Sequence, residues 1–309
     1  MKTFKNLIDI MDFFKDEEFC HNFLKDMFWG KNRENKSCPS CGSCNVNEYP
    51  SNFKKNRCYD CKCDFSIRKN TLFDDSKISL KKWFMVIFLA NSNKKGVSSY
   101  FIARQVGVTQ KTAWFMLHRI RNVSDRDGFH NPFDGITEID EAYLGGSESN
   151  KHTNKKGKSE KTVVLGLVER NSKQVKATVV ESNKTYDLQP TIYETVKEGS
   201  AIVTDSYAGY DVLNWNYKHE TVKHCVGEYV KESSKVAFKI HTNTIEGFWS
   251  LVKRTINGTH HWISKKHTNR YLKEMEYRYN TKELADNQRF IQFLGQSFGK
   301  LTYKQLISA

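Results

Sequence analysis

The sequence predicts an α/β domain on a mixed sheet, preceded by a small cysteine-rich ribbon and an all-helical region. Three observations predict this. Six of the eight cysteines lie between Cys38 and Cys63. Residues 80–121 repeat apolar side chains at helical spacing, and from residue 135 the pattern changes to short extended runs that alternate with helical ones.

Residues 4–28 place Phe4, Leu7, Met11, Phe14, Phe23, Leu24 and Met27 at roughly helical spacing, so a helix or helix pair opens the chain. The ribbon follows. Cys38-x2-Cys41 and Cys58-x2-Cys61 are two thiolate pairs separated by sixteen residues, each on a tight knuckle. Four soft ligands in two hairpins suit tetrahedral Zn²⁺, which would fold a segment too poor in apolar residues to fold alone. Cys44 and Cys63 lack an x2 partner and are spare. Lys54, Lys55, Arg57, Lys62, Arg68 and Lys69 surround the ribbon, either as DNA contacts or as solvated charges.

The run from Leu80 to Leu89 predicts a buried helix. Ser98 to Arg121 reads as helix, short turn, helix: Ser98 or Ser99 caps the first, Gly107 breaks it and Thr109 caps the second. This is helix-turn-helix spacing, with small Ala103 where the helices cross. The start of the second helix would present Gln110, Lys111 and Thr112 to a major groove, with Arg119 further along as another DNA-binding candidate. The alternative is a helix pair that only packs against its neighbours.

After a linker at 127–135, a strand at 135–146 leads to a polar, mainly basic loop at 147–161. Two strands joined at Asn171-Ser172 follow, then a helix from about Tyr186 to Lys197, a short buried strand ending at Asp205 and another strand near 220–226. A late helix starts at about His241. On it Ile245, Trp249, Val252 and Ile256 form an apolar face, while Asn243, Glu246, Ser250, Lys253 and Asn257 form a polar stripe beside it. Three antiparallel strands, a helix, a strand parallel to the first and a later helix make the order of a ribonuclease H-like domain. In that order the strands of Asp140 and Asp205 are neighbours, and two carboxylates so close repel unless a cation sits between them. With Glu246 they offer hard oxygen ligands for Mg²⁺ or Mn²⁺. Alternation puts Glu138 on the face of Asp140, as a supporter or an edge charge, and Glu141 on the other face.

The formal net charge of +14 (49 Lys+Arg against 35 Asp+Glu) and a pI near 9.3 point to a polyanionic partner. No run of eighteen apolar residues occurs, and Lys and Asp interrupt the N-terminus where a signal peptide would be apolar. A soluble intracellular protein with no membrane partner is expected, in the cytoplasm or nucleoid of a bacterium or the nucleus of a eukaryote.

The blocks EIDEAYLGG, IVTDSYAGY and HTNTIEGFWSLVKR resemble the three blocks of the bacterial insertion-sequence DDE transposases that carry an N-terminal zinc ribbon. CPSCG and GVTQKTAWFMLHRIR resemble their front half, and the likeness runs from about residue 16 to 282. It implies that Asp140, Asp205 and Glu246 are the catalytic triad holding two Mg²⁺ or Mn²⁺ ions. It also implies that Lys253, two helical turns beyond Glu246, lies near the site and binds the element's end, with Arg254 beside it. Some members of the family carry Asn at the third position, so Asn243 is the alternative ligand, and His241 is a further supporting residue.

The domains implied are an N-terminal helix and zinc ribbon at 1–75, a helix-turn-helix region at 76–128, a ribonuclease H-like DDE catalytic domain at 129–285 and a C-terminal helical tail at 286–309. The expected activity is cleavage of transposon ends and joining of the 3′-hydroxyl to target DNA by two-metal-ion phosphoryl transfer. The partners are double-stranded DNA, both terminal repeats and target, and further copies of the chain in a homo-oligomer on DNA. Two other readings fit the same blocks: a zinc-ribbon and helix-turn-helix regulator with an inactive relic core, and a ribonuclease H-like nuclease that cuts without joining.

Overall fold

The computed structural model describes residues 4–125, 132–145, 161–223, 228–232 and 238–308. The chain forms two compact units: Met1–Ser124 with Glu283–Ala309, and Asp125–Lys282. The linker expected at 127–135 lies largely, and the basic loop at 147–161 almost wholly, outside the described residues.

In the first unit, helices α1 (Leu7–Phe13) and α2 (Glu17–Trp29) are each capped by a polar side chain, Asn6 and Asp16, that accepts a first-turn N–H. The ribbon is a three-stranded antiparallel sheet of β1 (Val46–Glu48), β2 (Asn56–Cys58) and β3 (Asp64–Phe65). Helix α3 (Leu80–Ser92) is apolar almost all round and buried accordingly. Helices α4 (Ser99–Val106) and α5 (Gln110–Ser124) follow; Ser98 caps the first, and Gly107 ends it in the left-handed conformation that a side chain would disfavour. The C-terminal helices α9 (Asp286–Gly295) and α10 (Tyr303–Ser308) belong to this unit. Phe290 of α9 explains why: its ring packs against Phe4, Phe14, Phe84 and Phe88, so one aromatic cluster closes the unit from both ends of the chain.

The second unit is a five-stranded mixed sheet in the order β6-β5-β4-β7-β8. Its strands are β4 (Ile136–Leu144), β5 (Thr162–Glu169), β6 (Val175–Val180), β7 (Ala201–Asp205) and β8 (Lys218–Val222). β4, β5 and β6 pair antiparallel, while β7 pairs parallel with both β4 and β8. A buried cluster on one face brings Leu188 and Ile192 of α6 (Thr185–Thr195) together with Ile139, Leu165, Leu167 and Ile202 of the sheet. On the opposite face, α7 (Asn243–Thr255) and α8 (Thr268–Asn280) contribute Ile245, Phe248, Trp249, Val252, Leu272 and Met275, which meet Ala142, Leu144, Val164 and Val168.

Side chains of α8 seal the β6 edge. The Asn280 amide accepts the Val175 N–H at 2.7 Å and donates to its carbonyl at 2.9 Å, and Glu276 accepts the Ala177 N–H at 2.8 Å. An open edge is a template for pairing with another chain, and these side chains occupy it. No helix among the described residues is long and apolar enough to cross a membrane.

Gly166 of β5, the cross-strand neighbour of Asp140, sets how close α7 lies. A Cβ there would collide with the Trp249 ring and come within 2.9 Å of Ile245 Cδ1. Gly166→Ala is therefore expected to destabilise the protein by about 1–3 kcal/mol, the usual cost of overpacking a rigid site. A urea melt in which this variant unfolds at the wild-type midpoint would contradict that packing argument.

Candidate active-site cleft and cysteine metal site

The ribbon brings four sulfurs together. The Cys38 and Cys61 sulfurs are 3.7 Å apart, those of Cys41 and Cys58 are 3.6 Å apart, and all four lie within 4.8 Å of one another. A tetrahedral ion with Zn–S bonds of about 2.3 Å requires sulfurs about 3.8 Å apart. The four cysteines thus fit a metal such as zinc.

The two knuckles are closed alike. Cys38 N–H donates to the Ser43 carbonyl at 2.9 Å and Cys58 N–H to the Cys63 carbonyl at 3.0 Å. Each carries a left-handed residue, Gly42 with φ 77° and Lys62 with φ 56°. Cys44 and Cys63 are exposed and stand outside the four-sulfur group.

In the second unit, Asp140 and Glu246 face one cleft of about 460 Å³, lined also by Glu141, Ala142, Trp249, Ser250, Lys253, Arg254 and Asn257. The Glu246 stripe of α7 therefore opens onto the strand of Asp140. Asn243, at the first turn of α7, is exposed and is not among the lining residues.

Asp205 ends β7. The β4–β7 register pairs Glu138 with Val203, and carried two residues on it brings Asp140 level with Asp205, on strands about 4.8 Å apart. Asp205 also accepts the Tyr207 N–H at 3.0 Å, stiffening the turn that follows. Asp140 and Glu246 line the cleft, while Asp205 is related to it through the strand register.

Glu141, on the other face of β4, belongs to the same electrostatic neighbourhood. Burial pushes its carboxyl up to about 7, and the negative charges of Asp140 and Asp205 add to the effect. Burial likewise raises the Tyr210 hydroxyl well above its ordinary range, with Glu141, Asp140 and Asp205 again contributing.

Glu138, by sequence a supporter or an edge charge, is fully buried at the start of α7. Its carboxylate accepts the N–H groups of Thr244 and Ile245 at 2.8 and 3.0 Å and the Thr244 hydroxyl at 2.8 Å. Arg170 Nε donates to it at 2.7 Å, and His241 Nδ1 lies 3.2 Å away. Burial holds the His241 imidazole below its ordinary value and the Arg170 charge adds to this, against the pull of Glu138. The signal available in the sequence is an acid on the same strand face as Asp140, Ala142 and Leu144. Arg170 carried no signal, because its partners come from distant parts of the chain.

The expected DNA-facing residues of the first unit divide. Lys111 is exposed, its ammonium 5.3 Å from the centre of the Tyr303 ring, and Gln110 donates to the Ser99 hydroxyl at 2.8 Å. The N–H of half-buried Thr112 donates to the Thr109 hydroxyl at 3.2 Å, as in a helix cap. Arg119 is turned inward instead: it is 5 % exposed, with its guanidinium held by the Leu72 and Asp74 carbonyls and packed over Phe115. Helical periodicity placed it on α5 without showing that a loop's carbonyls would claim it. In the second unit Lys253 and Arg254 are exposed at the cleft, with Arg254 Nε donating to the Ser250 carbonyl at 3.2 Å.

Comparison with known proteins adds an independent line. Residues 132–280 match the family of the ISXO2-like transposase domain. An uncharacterized protein in transposable element ISH50 of Halobacterium salinarum is 26% identical over 282 residues, covering 86% of this chain and 91% of that protein. An uncharacterized transposase-like protein of Haemophilus influenzae is 33% identical over 115 residues, covering 36% of this chain and 85% of that protein.

Two measurements test these sites. Purified protein is expected to hold one zinc per chain by elemental analysis, and a Cys38→Ser/Cys58→Ser double variant to lose it; a zinc-free preparation that folds normally would contradict the assignment. For Glu141, the folded-state value near 7 lies above the ordinary 4.5, so the folded protein holds an extra proton between those values. Its contribution to stability is therefore full below about pH 4.5 and is lost as pH rises through about 7. Without added divalent cations, Glu141→Gln should remove this decline from the pH dependence of the melting temperature.

Proposed function

Because the chain belongs to the insertion-sequence DDE transposases, we propose that the neighbourhood of Asp140, Asp205 and Glu246 cuts the ends of a mobile element and joins them to target DNA. The observation that carries this reading is the cleft in which the polar stripe of α7 faces Asp140, beside a strand pairing that brings Asp205 level with it. The meander β4-β5-β6, the helix α6 and the parallel strand β7 support a ribonuclease H-like core.

The donor set fits the proposed ions. Carboxylate oxygens are the ligands Mg²⁺ and Mn²⁺ take, so Asp140, Asp205 and Glu246 are the residues that would hold such ions. When bound to Asp140, Asp205 and Glu246, such ions supply Lewis acidity to the phosphoryl oxygens and lower the pKa of an attacking hydroxyl. The chain's own groups do the rest. Lys253 and Arg254 attract and orient the phosphate backbone beside the acids. Glu246 lines the cleft and Asn243 is not among its lining residues, which favours Glu246 as the third acid.

In the first unit, two helices separated by the turn at Gly107, α4 and α5, support a helix-turn-helix reading, and Gln110, Lys111 and Thr112 at the start of α5 are the residues proposed for a major groove. Arg119 is left out of this set, because its donors are held by carbonyls inside the unit. The ribbon and this helix pair would recognise terminal repeats, with the phosphate contacts supplying salt-dependent affinity.

The test uses duplexes of the DNA flanking the gene, with Mg²⁺. Asp140→Asn, Asp205→Asn and Glu246→Gln are expected to bind the duplex as wild type does but to give neither nicked nor joined product. Lys253→Ala should bind more weakly, with the slope of log affinity against log salt reduced by about 0.9. Cleavage surviving in any acid variant or in EDTA would overturn the site. Nicked DNA without joined species would make the protein a nuclease, and binding without either product would make it a regulator.

A further inference from the structure

We propose that Glu138 is a positioning residue for the site: from the interior of β4 it caps the helix that carries Glu246 and thereby fixes Glu246 against Asp140. This rests on the reading of Asp140 and Glu246 as metal-holding acids.

A helix leaves its first N–H groups without partners, and a local Ser, Thr, Asp or Asn side chain ordinarily accepts from them. Thr242 occupies that place before α7 and makes no such bond. Its hydroxyl instead donates to the Glu246 carboxylate at 3.2 Å, so the residue that could cap the helix orients the acid. The cap comes from the sheet. Glu138, more than a hundred residues earlier, accepts the second and third N–H groups of the helix, those of Thr244 and Ile245. A carboxylate at a helix N-terminus is also favoured by the helix dipole.

Arg170 makes the attachment stiff. It follows the strand that pairs with β4, donates Nε to Glu138, and gives its other two nitrogens to the Lys239 and His241 carbonyls at 2.6 Å each. One guanidinium therefore holds both the capping acid and the segment that leads into α7.

A third point of contact lies one turn along. Ile245 and Trp249 fill the space left by Gly166, the cross-strand partner of Asp140. Glu138 and Asp140 stand two residues apart on the same face of the same strand, so the distance from cap to first acid is set by strand geometry. Glu246 follows Ile245 directly, inside the same first turn, so its distance from the cap is set by helix geometry. Together they leave Glu246 little freedom relative to Asp140.

A buried pair that only stabilised the core would give a different result on removal. Its loss would lower the melting temperature and leave metal affinity in the folded protein unchanged. Loss of a positioning group weakens the metal itself, typically by about 10–100-fold in affinity or activity.

The experiment titrates Mn²⁺ into the zinc-containing full-length protein, with free Mn²⁺ followed by paramagnetic resonance, alongside cleavage of the flanking-DNA duplex. Glu138→Gln keeps the shape and loses the charge, while Arg170→Lys keeps a charge and loses the three-way geometry. Leu188→Ala, on the opposite face of the sheet, is the control for lost stability alone.

Glu138→Gln is expected to bind Mn²⁺ about 10–100-fold more weakly. Its cleavage should slow through kcat with KM for DNA unchanged and recover in part at high Mn²⁺. Arg170→Lys should show a smaller loss of the same kind and carries the test if Glu138→Gln does not fold. Leu188→Ala should melt earlier with wild-type Mn²⁺ affinity. The proposal is overturned if Glu138→Gln and Arg170→Lys both bind Mn²⁺ as wild type does while Glu246→Gln does not. A Glu246→Gln variant that binds Mn²⁺ and cleaves normally would instead remove the reading of the site on which the proposal stands.

Discussion

A carboxylate with no solvent exposure, Glu138, joins the first turn of α7 to β4, and the geometry of the cleft depends on that junction. Burying a charge costs several kcal/mol unless partners surround it. Here Arg170, two backbone N–H groups and the Thr244 hydroxyl do so, and the N-terminal end of the helix dipole adds to them. Because each of these partners belongs to α7, to the segment before it or to the turn after β5, the charge is satisfied only when strand and helix are in register. The interaction therefore selects one arrangement more than it adds net stability.

The same physical logic recurs in the first unit with the charges reversed. Arg68 donates to the Phe73, Ser76 and Ile78 carbonyls, Arg119 to those of Leu72 and Asp74, and Arg289 to those of Asn91 and Leu284. Each guanidinium offers several donors in a fixed plane, which suits a turn whose carbonyls converge and have no strand or helix partner. A strongly basic chain thus directs part of its charge inward. Net charge overstates the cations that face a DNA backbone, and Arg119 is the residue for which this changes the functional assignment.

The ribbon is held together by very little regular structure. Its strands are two or three residues long. What fixes its shape is the pair of knuckles, with the four sulfurs held at tetrahedral spacing. Lys62 adopts in the second knuckle the left-handed conformation that Gly42 adopts in the first, a cost that metal ligation by the four cysteines would offset.

Much of this was legible in the chain itself, because it depends on spacing. Cysteine pairs, the period of α7 and the alternation along β4 are local, so they indicated the four-sulfur site, the stripe of Glu246, Ser250, Lys253 and Asn257, and the shared face of Glu138 and Asp140. Where the helices of the first unit begin and end followed from caps and from Gly107 for the same reason. What the sequence could not determine is which partner each inward polar group meets. Glu138 was ambiguous until α7 arrived over it, Arg170 was silent until Lys239 and His241 came within its reach, and Gly166 meant nothing until Trp249 lay against it. Arg119 looked like a surface cation until the carbonyls at 72–74 enclosed it. Those pairings link residues tens to a hundred positions apart, and contacts of that range exist only after the sheet and helices have packed.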